Sequence, residues 1–140
     1  VIVLDTNVLS AVMRQKPERA IVAWLDRQPS ESVWTTAVTV FEIRFGLELL
    51  PPSRRRRQLE DAFDRALAED LGGRVLPFDR EAAREAGVRA AERQKAGKSV
   101  DFRDVEIAGI VAARRGTLAT QNRKHFEGLR IALVDPWTSG

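Results

Sequence analysis

Five short apolar or β-branched runs alternate with stretches of helical pattern along this chain. That alternation confines it to an α/β fold with a mainly parallel central sheet flanked by helices. The runs are Val1–Leu4, Ser32–Thr36, Arg74–Phe78, Thr117–Thr120 and Ile131–Val134. Between them the pattern predicts a short helix after Asp5 to about Arg14, and a second opened by Pro17 and Glu18, with Ile21, Trp24 and Leu25 on one face. Further helices are predicted over Val38–Leu50, Ser53–Leu71, 79–96 and Asp101–Arg115. Pro51-Pro52, Gly72-Gly73, Gly97 and Gly116 supply the stops. With no internal repeat or linker, the 140 residues read as one domain spanning 1–140.

Absent side chains narrow the chemistry. There is no cysteine, which removes disulfides, thiolate zinc sites and cysteine nucleophiles together. The single histidine, His125, excludes a two-histidine acid–base pair. Any metal must therefore be held by oxygen, and hard oxygen ligands favour Mg²⁺ or Mn²⁺. A net charge of +3, from 23 basic and 20 acidic residues, is compatible with a nucleic-acid substrate without requiring one. No apolar run approaches membrane-spanning length and no signal-peptide pattern is present, so a cytoplasmic location without membrane contact is expected.

Four oxygen-bearing residues stand where a parallel sheet would bring them to one edge. Asp5 ends the first run and Asn122 follows Thr117–Thr120. The carboxyl ends of parallel strands are where α/β folds build sites. At about 100° per residue, Glu42 falls inside a stripe of Val38, Phe41, Phe45 and Leu49 that is expected to face the core. Asp104 shares a face with Ile107, Ala108 and Val111. A buried carboxylate is costly unless it is paired or bound to a metal. The competing readings are ordinary: Asp5 as a helix cap, Asn122 as a turn residue, Glu42 paired with Arg44 or Arg123. For Asp101-x-x-Asp104 the two readings combine, with Asp101 as the cap or an outer-shell residue and Asp104 as the ligand. Arg54–Arg57 reads as a solvated first helical turn, and the three tryptophans as core or interface aromatics.

The order and spacing of these segments resemble the PIN-domain nucleases, in particular the VapC and FitB-like toxins of bacterial toxin–antitoxin pairs. Val3-Leu4-Asp5-Thr6-Asn7 is similar to the family's first motif, and Thr39-Val40-Phe41-Glu42-Ile43-Arg44-Phe45-Gly46 to its second. Phe102-Arg103-Asp104 with Ile107-Ala108 resembles the third, and Leu118-Ala119-Thr120-Gln121-Asn122 the fourth. The ending Val134-Asp135-Pro136-Trp137 matches the FitB-like branch.

The resemblance implies a PIN-like fold with a five-stranded sheet, and metal-dependent hydrolysis of RNA phosphodiester bonds using Mg²⁺ or Mn²⁺. Asp5, Glu42 and Asp104 would be the metal-binding acids, with Thr6 and Thr120 supporting them through hydroxyl hydrogen bonds. Asn122 stands where many PIN domains carry a fourth acid; it keeps an oxygen but loses a charge, which weakens a second metal position. Arg123 is a candidate phosphate contact on charge alone. A homodimer and an antitoxin partner are also implied, the antitoxin docking on the apolar helix pair 38–71. Part of the Leu59, Phe63 and Leu67 face should then be exposed. Two alternatives stay open on sequence alone. One is a metal-dependent DNase or structure-specific nuclease with the same site; the other is a non-catalytic antitoxin-binding or co-repressor module.

Overall fold

The first strand shows how the sheet divides the interior. In β1 (Ile2–Leu4), Val3 and Leu4 are both essentially inaccessible to solvent, yet they belong to different core clusters. Successive side chains of a strand point to opposite faces, so a strand buried on both sides needs two cores. Leu118 and Ala119 in β4 (Thr117–Ala119) repeat the division. This computed structural model describes residues 1–138.

β2 (Val33–Thr36), β3 (Val75–Leu76) and β5 (Ala132–Val134) complete a five-stranded sheet of order β3-β2-β1-β4-β5. Every pairing is parallel, with Ile2 opposite Val33 on one side and Thr117 on the other. The chain moves outward from β1 to β2 and β3, then returns to the other side of β1 for β4 and β5. The reversal leaves a crevice at the carboxyl ends of β1 and β4, the position at which open α/β sheets bind ligands.

Seven α-helices among the described residues cover the sheet: α1 (Thr6–Val12), α2 (Arg19–Asp26), α3 (Ala37–Leu49), α4 (Arg54–Arg65), α5 (Arg80–Lys95), α6 (Phe102–Ala113) and α7 (Arg123–Phe126). Asp5, Thr36, Ser53, Asp79 and Asp101 cap the starts of α1, α3, α4, α5 and α6 with their side chains. The end of the predicted fourth helix widens into a π-helical turn at Ala66–Asp70. There Leu71 N–H donates to Ala66 O at 2.9 Å, and Gly72 and Gly73 leave the turn at positive φ.

Three expectations are corrected by the fold. Of the stripe Val38, Phe41, Phe45 and Leu49 only Val38 is buried, the others being exposed at 57%, 51% and 70%; α3 otherwise buries Thr39, Ile43 and Leu47. This helix is apolar on most sides, so its periodicity does not fix which side faces inward. The short β2–α3 connection, with Thr36 Oγ1 accepting from Thr39 N–H at 3.0 Å, sets that phase. The second correction concerns the Leu59, Phe63 and Leu67 face, because Phe63 is packed in the core and only Leu59 and Leu67 are half-exposed. The short helix α7 follows Asn122, in a stretch to which the sequence pattern assigned no element. Third, the arginine run is not uniformly solvated. Arg56 binds Glu60 at 3.2 Å, Glu48 at 2.5 Å and the Leu50 carbonyl at 3.0 Å.

Candidate active site

β1 ends at Leu4, and the next backbone N–H, that of Asp5, donates to Ala119 O at 3.0 Å. This places the Asp5 side chain in the crevice between β1 and β4. The carboxylate is 5% exposed and fully engaged: Oδ1 accepts from Thr6 N–H at 2.8 Å, and Oδ2 from Thr120 Oγ1 at 2.8 Å and Asn7 Nδ2 at 3.0 Å. Burial pushes its pKa up, and the bonds from Thr120, Thr6 and Asn7 pull it back down.

Glu42 reaches the same cleft from α3. Thr6 Oγ1 donates to its Oε1 at 3.1 Å and lies 3.3 Å from Thr39 Oγ1, linking α1 to α3. Its cationic neighbour is Arg103, 3.8 Å from Oε2; Arg44 instead pairs with Glu60 at 3.1 Å. Burial raises the Glu42 pKa, opposed by the Thr6 hydroxyl and by Arg103.

Asp104 enters from the first turn of α6, where its N–H is capped by Asp101 Oδ1 at 3.1 Å. His125 Nδ1 lies 3.3 Å from its Oδ2. Burial and then the Asp101 charge push Asp104 up to about 6, against the pull of His125, while Asp5 and Glu42 add to the rise. Asn122 closes the cleft from the end of β4; its N–H donates to Thr120 Oγ1 at 3.0 Å.

Asp5, Thr6, Glu42, Asp101, Asp104 and Asn122 thus share one cleft of about 330 Å³, with Thr120 bonded beneath it. Arg123 does not line it. Arg103 does, because it precedes Asp104 in α6, whereas Arg123 opens α7 and is solvent-exposed. Sequence reasoning assigned no role to three residues that matter here. Asn7 bridges Asp5 to the segment after β4, accepting from Gln121 N–H at 3.1 Å; its spacing of two from Asp5 was the available signal. Thr39 joins the hydroxyl network, and His125 stands against Asp104. Neither His125 nor Thr39 carries a local signal, since both contacts are made by chain folding.

Residues 2–130 match the family profile described as PIN domain. The chain belongs to the PIN-domain family. Among curated PIN-domain relatives, it is 37% identical over 136 residues to the VapC ribonuclease Y4jK of Sinorhizobium fredii, covering 97% of each chain. It is 34% identical to the toxin FitB of Neisseria gonorrhoeae, over 97% of this chain and 98% of that one. The FitAcB crystal structure from N. gonorrhoeae superposes with a TM-score of 0.87 at 32% identity, covering 99% of both chains.

The site can be tested for a PIN-type divalent cation. As the side chains stand, no three carboxylate or imidazole groups among the described residues close on a single point. What fits is the donor chemistry. Four acids and two amide side chains line the cleft, against one guanidinium and one imidazole. Burial raises the pKa values of Asp5, Glu42 and Asp104, neighbouring carboxylates add to the rise at Glu42 and Asp104, and a hard divalent cation would relieve both.

Proposed function

We propose that the chain is a metal-dependent endoribonuclease, the toxin of a toxin–antitoxin pair, which hydrolyses RNA phosphodiester bonds in the cytoplasm. The carrying observation is the convergence of Asp5, Glu42 and Asp104 on one cleft at the sheet's switch point, with Asp104 pushed up to about 6. Toxin and ribonuclease relatives matched over nearly their whole length support the same reading.

When bound, Mg²⁺ or Mn²⁺ would supply Lewis-acid chemistry and charge neutralisation for in-line attack by water. Asp5 and Asp104 would hold it directly, and Glu42 would hold it or orient the attacking water. Asn122 would offer a neutral oxygen as a weaker ligand. Thr6, Thr120 and Asn7 fix the two carboxylates of Asp5 and Glu42, so little reorganisation is needed when substrate arrives. Arg103, half-exposed at the cleft edge, provides a guanidinium for the incoming phosphate.

Two protein partners have separate seats in this reading. A groove of about 790 Å³ lies between the end of α1 and α4, with Val12, Met13, Leu59 and Ala66 in its wall. We place the antitoxin there. The exposed row of Phe41, Phe45 and Leu49 is the face assigned to a second copy of the chain, since an apolar row of this kind favours burial against a like surface.

The test is incubation of the antitoxin-free chain with labelled RNA and DNA in Mg²⁺ or Mn²⁺, with EDTA and Asp104→Ala controls. Cleavage of RNA that is lost in both controls is expected. Cleavage of DNA alone would replace the substrate class. No cleavage of either would favour the non-catalytic module.

A further inference from the structure

A second cleft of about 220 Å³ opens on the other side of Asp104 and His125, and it shares Asp101, Asp104 and His125 with the carboxylate cleft. The two are contiguous, and the charged residues that the second adds beyond those shared ones are both cations. The second is walled by Arg93 from the last turn of α5 and Lys124 from α7, with Ser99 between α5 and α6.

Arg93 is held in an informative way. Its Nε donates to Ser99 O at 2.9 Å and its Nη1 to Glu127 O at 3.2 Å. Two backbone carbonyls orient the guanidinium plane without neutralising it, and Nη2 has no protein partner among the described residues. Lys124 is exposed and likewise pairs with no carboxylate among the described residues. Arg114, Arg130 and Arg44 are each neutralised, by Asp79, Glu92 and Glu60, and Arg93 is set apart from the other unpaired arginines by the two carbonyls that hold it at the cleft. An oriented, uncompensated guanidinium beside a flexible ammonium is a phosphate-binding arrangement.

We propose that this cleft seats the phosphate next along the RNA strand from the one being cleaved, with Arg93 and Lys124 as its binding residues. The assignment rests on the ribonuclease reading, and it gives the substrate a direction of travel. The strand crosses Asp104 from the acidic cleft towards the Arg93 and Lys124 wall of the second. A nucleic-acid strand places a charge at every nucleotide, so a site that cuts one phosphate must accommodate its neighbours. The acidic cleft repels the neighbours, and the Arg93 and Lys124 wall beyond Asp104 attracts one.

The experiment is anisotropy titration of a labelled single-stranded RNA oligonucleotide in EDTA, from 50 to 200 mM salt. Wild type, Arg93→Gln, Lys124→Gln and the charge control Arg84→Gln are compared. Arg84 is largely exposed on α5 and lines neither cleft. Each cleft variant should bind about five-fold more weakly than the control, and its salt slope should shrink by about 0.7. In cleavage assays KM should rise with kcat little changed. Arg93 also braces the loop at Ser99, so Lys124→Gln, which breaks no hydrogen bond, decides if Arg93→Gln fails to fold. Affinities and slopes equal to those of Arg84→Gln, or wild type that binds no RNA at 50 mM salt, overturn the proposal. Wild type that binds RNA in this manner but never cleaves it would overturn the ribonuclease reading alone.

Discussion

Thr120 Oγ1 donates a 2.8 Å hydrogen bond to Asp5 Oδ2 across 115 positions of sequence, and so ties the end of β4 to the end of β1. The same oxygen accepts from Asn122 N–H, which places the last cleft residue by the bond that holds the first. Thr120→Val keeps the shape and removes both interactions. It should destabilise the fold by about 1–3 kcal/mol at neutral pH, measured by urea unfolding, because a buried carboxylate loses a donor. The loss should shrink in acid, where Asp5 is neutral and needs the donor less. A valine variant as stable as wild type at pH 7 would mean that Thr120 does not support the carboxylate.

Asp104 makes a prediction of opposite sign. Its folded pKa of about 6 lies above the ordinary 3.8, so the folded chain binds this proton more tightly than the unfolded chain. Metal-free stability should therefore fall as pH rises from about 4 to about 6 and stay at the lower level above. Asp104→Asn removes this contribution. In EDTA at pH 7.5 the variant should melt a few degrees higher than wild type, while below pH 4 the two should converge. Adding Mg²⁺ should raise wild type more than the variant. Identical pH profiles in EDTA would contradict the raised pKa.

The sequence disclosed most of the frame and the four cleft residues, because strand runs, caps and stop signals are local. Asp5, Asp104 and Asn122 meet in one cleft as their positions suggested, and Glu42 joins them although most of the apolar stripe from which it was read is exposed. What it did not disclose depends on helix phase and on distant contacts. The apolar surround of α3 hid which side faces inward, so Phe41, Phe45 and Leu49 were misplaced while Ile43 and Leu47 took the core. Arg103 rather than Arg123 lines the cleft, and His125 meets Asp104, because α6 and α7 are brought together only by the β4–β5 half of the sheet.

The misplaced row of α3 leads to a third expectation. Phe41 and Phe45 stack at 6.1 Å between centroids, and both are more than half exposed, so they contribute little to the core of the lone chain. Phe45→Arg should change unfolding free energy by no more than about 0.5 kcal/mol. It should also shift sedimentation from dimer to monomer at micromolar concentration. Dimers that persist unchanged would move the self-association surface elsewhere.

Gly109 links packing to chemistry. A Cβ built there would sit 2.7 Å from Ala86 Cβ and clash with the Ala82 carbonyl, so α5 and α6 touch backbone to backbone at this point. Gly109→Ala must push the helices apart at a site where backbone, and not a flexible side chain, is the obstacle. Overpacking of this kind costs about 1–3 kcal/mol. The displacement also falls on α6, whose first turn carries Asp104 opposite Asp5. The variant should therefore unfold at lower urea and need more Mn²⁺ for half-maximal RNA cleavage. A control, Gly87→Ala, occupies the same helix pair with nothing within 4 Å of its added Cβ. It should keep both properties, or gain slightly in stability from the helix preference for alanine. If Gly109→Ala lowers stability but leaves the Mn²⁺ requirement untouched, the α5–α6 contact supports the fold without setting the position of Asp104.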